Sequence, residues 1–212
     1  MKSILHADDH PMIRTAIRIM IESHLPETFF EEACDGDSAF EKIRNKDYDL
    51  VILDVSMPGT DSLGLIGNIL AVKPETKILM LSMNAEEAYA KKYFKSGAMG
   101  YITKDAPLEQ IEEAVSTVLN NKKYTSPYLT QILTDEALGI SQVNPFDALS
   151  QREFEIVQHL AHGESLAEIS RVLNLHVSTI GNFKHRIFEK LKCNNLISLS
   201  ELAKNYKILP AA

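Results

Sequence analysis

The chain has little of what marks several protein classes. Its 212 residues contain two cysteines, Cys34 and Cys193, far apart and without C-x-x-C or Cys/His spacing. That excludes a zinc site or disulfide framework of recognisable pattern and makes a reducing, cytoplasmic location the default expectation. No apolar run approaches the length of a membrane span. The opening Met1-Lys2-Ser3-Ile4-Leu5-His6-Ala7-Asp8-Asp9 meets two acids too soon for a signal peptide. Excess positive charge is also missing: the net charge is −7. It is unevenly spread. From Asp147 onward 8 Lys+Arg stand against 7 Asp+Glu, a net +1, which leaves −8 for the rest. Two parts with different partners are implied. Nucleic-acid binding, if present, has to be argued from where charges sit and not from their sum.

What is present begins with Leu50-Val51-Ile52-Leu53-Asp54, a continuous apolar run closed by a carboxylate and followed by Pro58-Gly59. Such a run predicts a strand buried on both faces of a parallel sheet. Similar short runs occur at Ser3–Ala7, Phe29–Ala33, Lys77–Ser82 and Met99–Lys104, with helical spacing between them (Met12, Ile13, Ala16, Ile17, Met20 and Ile21, for example). Five strand–helix alternations imply an α/β fold with a doubly wound, five-stranded parallel sheet. Right-handed crossovers put every strand end on one rim. That rim collects Asp8 and Asp9, Asp54, Ser82 and Lys104. Converging carboxylates repel and raise one another's pKa, and a hard divalent cation such as Mg²⁺ relieves this. Asp54 is then a candidate nucleophile toward a phosphoryl donor, with Lys104 offsetting charge and Ser82 hydrogen-bonding the transferred group. Taken singly, each has a plain structural reading: a helix cap, a strand-end hydroxyl, a solvated lysine.

As a set, Asp8-Asp9-His10-Pro11, the Asp54 strand with Met57-Pro58-Gly59, Ser82, and Gly97-Ala98-Met99-Gly100-Tyr101-Ile102-Thr103-Lys104 resemble the receiver domain of two-component response regulators, a flavodoxin-like fold. The resemblance implies Asp54 as phosphoacceptor and Asp8, Asp9, Asp54 and the Ser56 carbonyl as Mg²⁺ ligands. It further implies Lys104 as the phosphoryl-binding lysine, and Ser82 with Tyr101 as the switch pair. Ser62 stands where the family usually has glycine. If that position needs a positive φ, serine is strained there. Met83 replaces a small residue beside Ser82, which predicts slow loss of phosphate from Asp54.

Residues 122–146 change character and read as a linker with a short helix starting at Ser126-Pro127. The receiver thus occupies 1–121 and a second domain 147–212. In the latter, Ser150-Gln151-Arg152-Glu153 and Ser165-Leu166-Ala167-Glu168 are capping boxes, and a third helix runs from about Ser178 to Leu191. Its buried stripe is Ile180, Phe183, Ile187 and Leu191. Two helices joined by the turn Asn174-Leu175-His176-Val177 have the shape of a helix-turn-helix; an ordinary three-helix bundle with a solvated face fits the same pattern. Asn182 is of a type that pairs with adenine, while Ser178, Thr179, Lys184, Arg186 and Lys190 suit phosphate contacts.

Leu149-Ser150-Gln151-Arg152-Glu153, Gly163, Glu168-Ile169-Ser170, Ser178-Thr179-Ile180, Ile187 and Lys190-Leu191 resemble the LuxR-type DNA-binding domain of NarL/FixJ-type response regulators. The family's base-reading positions fall on Gly181, Asn182 and His185. Gly181 replaces an often basic residue, Phe183 a histidine and Lys192 a glycine, so either DNA affinity below the family's norm or a requirement for a partner subunit is expected. The resemblance implies a sensor histidine kinase as phosphoryl donor, a homodimer on phosphorylation, and double-stranded DNA as target. It does not imply an enzyme beyond self-phosphorylation. The alternative is a signalling adaptor whose diverged helix-turn-helix domain binds protein. A haloacid-dehalogenase-type phosphatase is disfavoured, because Asp54-Val55-Ser56 has no second acid two residues on.

Overall fold

The computed structural model describes residues 2–84, 86–140 and 144–208. They form two compact units, one comprising the chain up to Glu86 with Tyr93–Gln131, the other Glu87–Lys92 with the chain from Ile132.

The first unit is built on a parallel sheet of β1 (Lys2–Ala7), β2 (Thr28–Ala33), β3 (Leu50–Asp54), β4 (Ile78–Ser82) and β5 (Gly100–Thr103), in the order β2-β1-β3-β4-β5. The helices between and after them are α1 (Pro11–His24), α2 (Gly36–Asn45), α3 (Ser62–Val72), α4 (Glu86–Ser96) and α5 (Leu108–Leu119). Every residue of β3 and β4 is buried. Side chains alternate across a strand, so burial throughout means that both faces are covered. Ile4, Leu50, Ile52, Leu79 and Leu81 join Ile17 and Ile21 of α1 and Val115 and Val118 of α5 in one core. Each such side chain contributes about 1.5–3 kcal/mol by leaving water. The strand order reverses between β1 and β3, and ligands of open α/β sheets bind outside the strand ends at such a point. Asp8 follows β1 and Asp54 closes β3, which puts both carboxylates there.

This unit extends past residue 121, where the sequence placed its end. Tyr124 makes a parallel bridge with Gly100, and its N–H bonds the Met99 carbonyl at 2.8 Å. The Ser126 hydroxyl accepts the Leu129 N–H at 3.0 Å, capping α6 (Pro127–Ala137), and donates to the buried Glu86 carboxylate.

Besides Glu87–Lys92 of α4 and the end of α6, the second unit holds a 3-10 turn at Pro145–Ala148, then α7 (Gln151–Ala161), α8 (Leu166–Val172), α9 (Val177–Leu191) and α10 (Leu196–Asn205). Both expected capping boxes are made, Ser150 with Glu153 and Ser165 with Glu168. Ile169, Ile180, Ile187 and Leu199 are buried, and an Arg152 guanidinium N–H donates to the Leu173 carbonyl at 2.7 Å, tying α7 to the end of α8. Phe183 is only half-buried, so the expected stripe narrows to Ile180, Ile187 and Leu191. The Arg186 guanidinium covers the outer side of Phe183, 4.9 Å from its ring centroid. The sequence reading passed over α10, although Asn195 and Ser198 form a capping box at its start.

Candidate functional site

Asp8, Asp54 and Lys104 are brought together at the ends of β1, β3 and β5. Lys104 Nζ lies 2.7 Å from Asp54 Oδ2 and 2.8 Å from Asp8 Oδ2, with all three side chains nearly inaccessible. Backbone geometry places each one. The Lys104 N–H donates to the Ser82 carbonyl at 2.7 Å, extending the β4–β5 pairing to the lysine. The His10 N–H donates to Asp8 Oδ1 at 2.8 Å and the Ser56 N–H to Asp54 Oδ1 at 3.1 Å, so each carboxylate is oriented by the turn that follows it. Asp9 is half-buried beside them.

The electrostatics differ from residue to residue. Burial pushes the Asp54 carboxyl above its ordinary range, against the opposing pull of Lys104 and the Ser56 N–H. Burial acts the same way on Asp8, but Lys104 and the His10 N–H outweigh it and hold that carboxyl low. Burial works to discharge Lys104, and the two carboxylates more than offset it. Thus mutual repulsion does not raise both Asp8 and Asp54, as expected from the sequence; Lys104 lowers both, and burial outweighs it only at Asp54.

Asp8, Asp9, His10 and Asp54 each offer a ligand atom within 4.8 Å of the others. Asp8 Oδ2 and Asp9 Oδ1 are buried, and beyond their ion-pair contacts with Lys104 and His10 no hydrogen bond satisfies them among the described residues. Clustered, under-satisfied carboxylate oxygens are the donor set a hard cation takes, so the residues fit Mg²⁺. Two histidines had escaped the sequence reading as participants. His10 Nδ1 is 2.8 Å from Asp9 Oδ1 and 3.1 Å from Asp8 Oδ1. His6 is wholly buried under Asp8, its Nε2 3.8 Å from Asp8 Oδ2. The signal for His6 was its place in β1, two residues before Asp8 and therefore on the same strand face.

Ser82 is buried, and its Oγ accepts the Asn84 N–H at 3.0 Å. Tyr101 is buried too, its hydroxyl donating to the Asn84 carbonyl at 3.0 Å. Asn84 therefore joins the two members of the expected switch pair. Met83 beside them is 70% exposed. The conditional expectation of strain at Ser62 fails, because Ser62 is the first residue of α3 and is not among the residues with positive φ. The turn's left-handed residue is Gly59, with φ 73°.

In the second unit the candidate DNA-contacting residues lie on α9. Ser178, Asn182, His185, Arg186 and Lys190 are exposed; Thr179, Gly181 and Lys184 are half-exposed. Lys190 is not simply solvated: its Nζ bonds Glu153 Oε2 at 2.6 Å, in the capping box of α7. A Cβ on Gly181 would meet nothing within 4 Å. Its backbone is helical, so neither packing within the domain nor backbone conformation demands glycine there. Lys192 caps α9 in the left-handed region, at φ 55°. This accounts for the glycine usual at that position.

Comparison with known proteins bears on both units. Residues 4–116 match the family described as "Response regulator receiver domain", and residues 147–203 match "Bacterial regulatory proteins, luxR family". Among curated relatives, the response regulator GacA of Pseudomonas aeruginosa is 31% identical over the whole of both chains. The oxygen regulatory protein NreC of Staphylococcus carnosus is 36% identical over 97% of this chain and 98% of its own. Among solved structures, RcsB of Salmonella enterica serovar Typhimurium, bound to a promoter in the presence of a phosphomimetic beryllium fluoride, is 25% identical with a TM-score of 0.76, covering 98% of each chain. A structure of two RcsB dimers on two parallel DNAs is 25% identical with a TM-score of 0.61, over 96% of this chain and 98% of that one. The five-stranded parallel sheet with its acid–lysine rim and the helix-turn-helix unit that follows it make this chain a member of the response regulators, a receiver domain joined to a LuxR-type DNA-binding domain.

Proposed function

We propose that Asp54 receives a phosphoryl group from a sensor histidine kinase, and that this controls dimerisation and sequence-specific DNA binding by a cytoplasmic transcription regulator. The observation that carries the reading is Lys104 Nζ set between Asp54 and Asp8 at 2.7 and 2.8 Å. An Asp54 oxygen attacks phosphorus, the P–N bond to the donor's imidazole breaks, and the imidazole leaves with its electron pair and takes up a proton. Asp8, Asp9, Asp54 and the Ser56 carbonyl would hold Mg²⁺, which neutralises phosphoryl oxygens when bound. Lys104 turns from its carboxylate partners to the incoming oxygens, and Ser82 donates its hydroxyl to one of them. Ser82 is already bonded to Asn84, and Asn84 to Tyr101, so a change at the phosphoryl group reaches the tyrosine through two hydrogen bonds. The modified receiver favours one arrangement of a two-state equilibrium.

In the second unit, α9 enters the major groove. Gly181, Asn182 and His185 face bases, and Ser178, Thr179, Lys184, Arg186 and Lys190 face phosphates. A symmetric dimer matches paired half-sites. Support comes from RcsB, whose structures hold DNA with a phosphomimetic present and hold dimers on DNA.

The test is fluorescence anisotropy with a pool of genomic DNA fragments, comparing wild type with Asp54→Asn. Each is given Mg²⁺ and a small phosphoryl donor at two salt concentrations. The expected outcome is donor-dependent, salt-sensitive binding that Asp54→Asn lacks. Phosphorylation without DNA binding selects the protein-binding adaptor instead, a reading favoured by the second domain's net charge of only +1. Binding indifferent to donor and to Asp54 removes the phosphoacceptor role from DNA control.

A further inference from the structure

The acid pair is held by its main chain as well as by its side chains. β1 and β2 pair in parallel up to Ala7 opposite Ala33, with His6 opposite Glu32. One residue on, the Asp8 N–H still bonds the Ala33 carbonyl, at 3.2 Å. The Asp8 carbonyl is taken by a side chain: Arg14 Nη1, in the first turn of α1, donates to it at 2.6 Å. The same guanidinium donates from Nε to Glu32 Oε2 at 2.9 Å, and Arg18 Nε donates to the other Glu32 oxygen, also at 2.9 Å. Arg14 and Arg18 thus share one carboxylate, but in these bonds only Arg14 reaches the acid pair. A planar guanidinium offers its donors in fixed directions, so Arg14 ties the peptide that follows β1 to the end of β2.

We propose that Arg14 is a positioning residue for the cation site: by holding the Asp8 carbonyl it aims both carboxylates of the acid pair at the divalent ion. The inference rests on the reading of Asp8, Asp9 and Asp54 as Mg²⁺ ligands. The Asp8 carbonyl belongs to the planar peptide that joins Asp8 to Asp9. Its direction therefore sets ψ of the first acid and φ of the second, and turning that plane moves both side chains. The His10 N–H orients Asp8 Oδ1 at 2.8 Å, but only where the peptide has already placed the residue. Ligands gathered in advance cost the ion less to bind, and groups that orient ligands from behind commonly carry about 10- to 100-fold of metal affinity. Arg14 also brings a positive charge beside the acidic rim. Its charge opposes a cation, while its geometry favours one, so the two roles predict effects of opposite sign.

The experiment titrates the full chain with Mg²⁺ by calorimetry. It compares wild type with Arg14→Met, Arg14→Gln, Arg18→Met and Asp9→Asn, each checked for folding by circular dichroism. Arg14→Met keeps the apolar stem and loses every donor. Arg14→Gln keeps polarity on a shorter side chain, and serves if the first variant folds poorly. Both are expected to weaken Mg²⁺ binding about 10-fold. Arg18→Met takes a charge from the same Glu32 without touching Asp8, and it is expected to bind Mg²⁺ as wild type does or slightly tighter. Mn²⁺ is the second probe, with the waters left on the bound ion counted by proton relaxation. Arg14→Met is expected to show at least one more than wild type, because a misdirected carboxylate yields its place to water. A bond that served stability alone would lower the melting temperature and leave the water count unmoved. Unchanged or tighter Mg²⁺ binding by the folded Arg14 variants overturns the proposal, and so does an equal loss in Arg18→Met. Wild type and Asp9→Asn binding Mg²⁺ alike is a separate result, read on different samples, and it removes the cation-site reading itself.

Discussion

In the first unit the side chains with chemistry to perform are inside. Asp8, Asp54, Ser82 and Lys104 are almost without access to solvent. In the second unit the corresponding side chains, Asn182, His185 and Arg186, stand outside on one helix. The difference suits what each unit is proposed to handle. A phosphoryl group and its cation need a small site in which charges act through little water, so the polar atoms are gathered at strand ends and oriented by neighbouring N–H groups. Duplex DNA brings its own charge and buries the reading face only on contact, so that face remains free. The first unit therefore carries its electrostatic tension in the unliganded fold, while the second defers it to binding.

The largest expected effect that sharpens this contrast comes from His6. Burial holds its imidazole neutral and lowers its pKa to about 4, against the ordinary 6.5; the nearby Asp8 works to raise it and Lys104 to lower it. Between those values the unfolded chain binds a proton that the folded chain refuses. Stability of the first unit is therefore expected to fall as pH drops from about 6.5 toward 4, by about 3 kcal/mol in all. Depressed carboxylates such as Glu32 act only below their ordinary range near 4.5, and the raised Asp54 carboxyl acts in the opposite sense, so a loss of stability above pH 5 is assigned to the histidine. Hydrogen exchange of the β1 amides without added Mg²⁺, at pH 7 and pH 5, measures it. A His6→Val variant is expected to be flatter. An equal slope in that variant would show that the cost of the buried site is not held by His6.

How much of each unit was legible follows the same division. Strand ends could be read because an apolar run closed by Asp54, Ser82 or Lys104 fixes both the element and the position of its last side chain. His6 could be placed on β1, but its isolation among buried groups depends on what packs across the strand, which β1 alone does not encode. Ser62 was misjudged because the left-handed residue of the turn is Gly59, three positions earlier, and its real partner, Tyr93, is remote in sequence. Helix α10 was legible too: Asn195 and Ser198 cap its start, and Leu196, Leu199, Leu202 and Ala203 recur at helical spacing. On α9 the apolar spacing identified the inner face, yet it could not tell that Phe183 is only half-buried with Arg186 over its ring or that Lys190 is committed to Glu153.

A smaller effect concerns backbone strain. The first unit gives its left-handed positions to Gly59, Gly97 and Asn121; the second uses Gly139, Gly163 and Asn174 but also holds Lys192 and Lys207 in that region. A non-glycine side chain there costs roughly 1–2 kcal/mol, of which glycine returns about 0.4–1 through greater freedom of the unfolded chain. Lys192→Gly is expected to stabilise the second unit by about 0.5–1 kcal/mol. Thermal unfolding followed by hydrogen exchange of α9 measures the gain. A loss of stability would mean that the lysine makes a contact worth more than its strain.

The smallest change tests whether the exposed face of α9 reads DNA as the buried rim is expected to read phosphate. Space around Gly181 is open, so Gly181→Ala and Gly181→Lys both fit without displacing a neighbour. Either one strengthens the helix by up to about 1 kcal/mol relative to glycine, and only the second adds a cation. If position 181 faces the duplex, Gly181→Lys raises affinity and steepens the slope of log binding constant against log salt by about 0.9, the signature of one more phosphate neutralised. Gly181→Ala leaves that slope unchanged, which separates charge from helix stability. A lysine variant with the slope of wild type would place Gly181 away from the nucleic acid and remove it as the cause of any weak binding. The second unit's reading face would then have to be sought in the other exposed residues of α9, Asn182 and Arg186 among them.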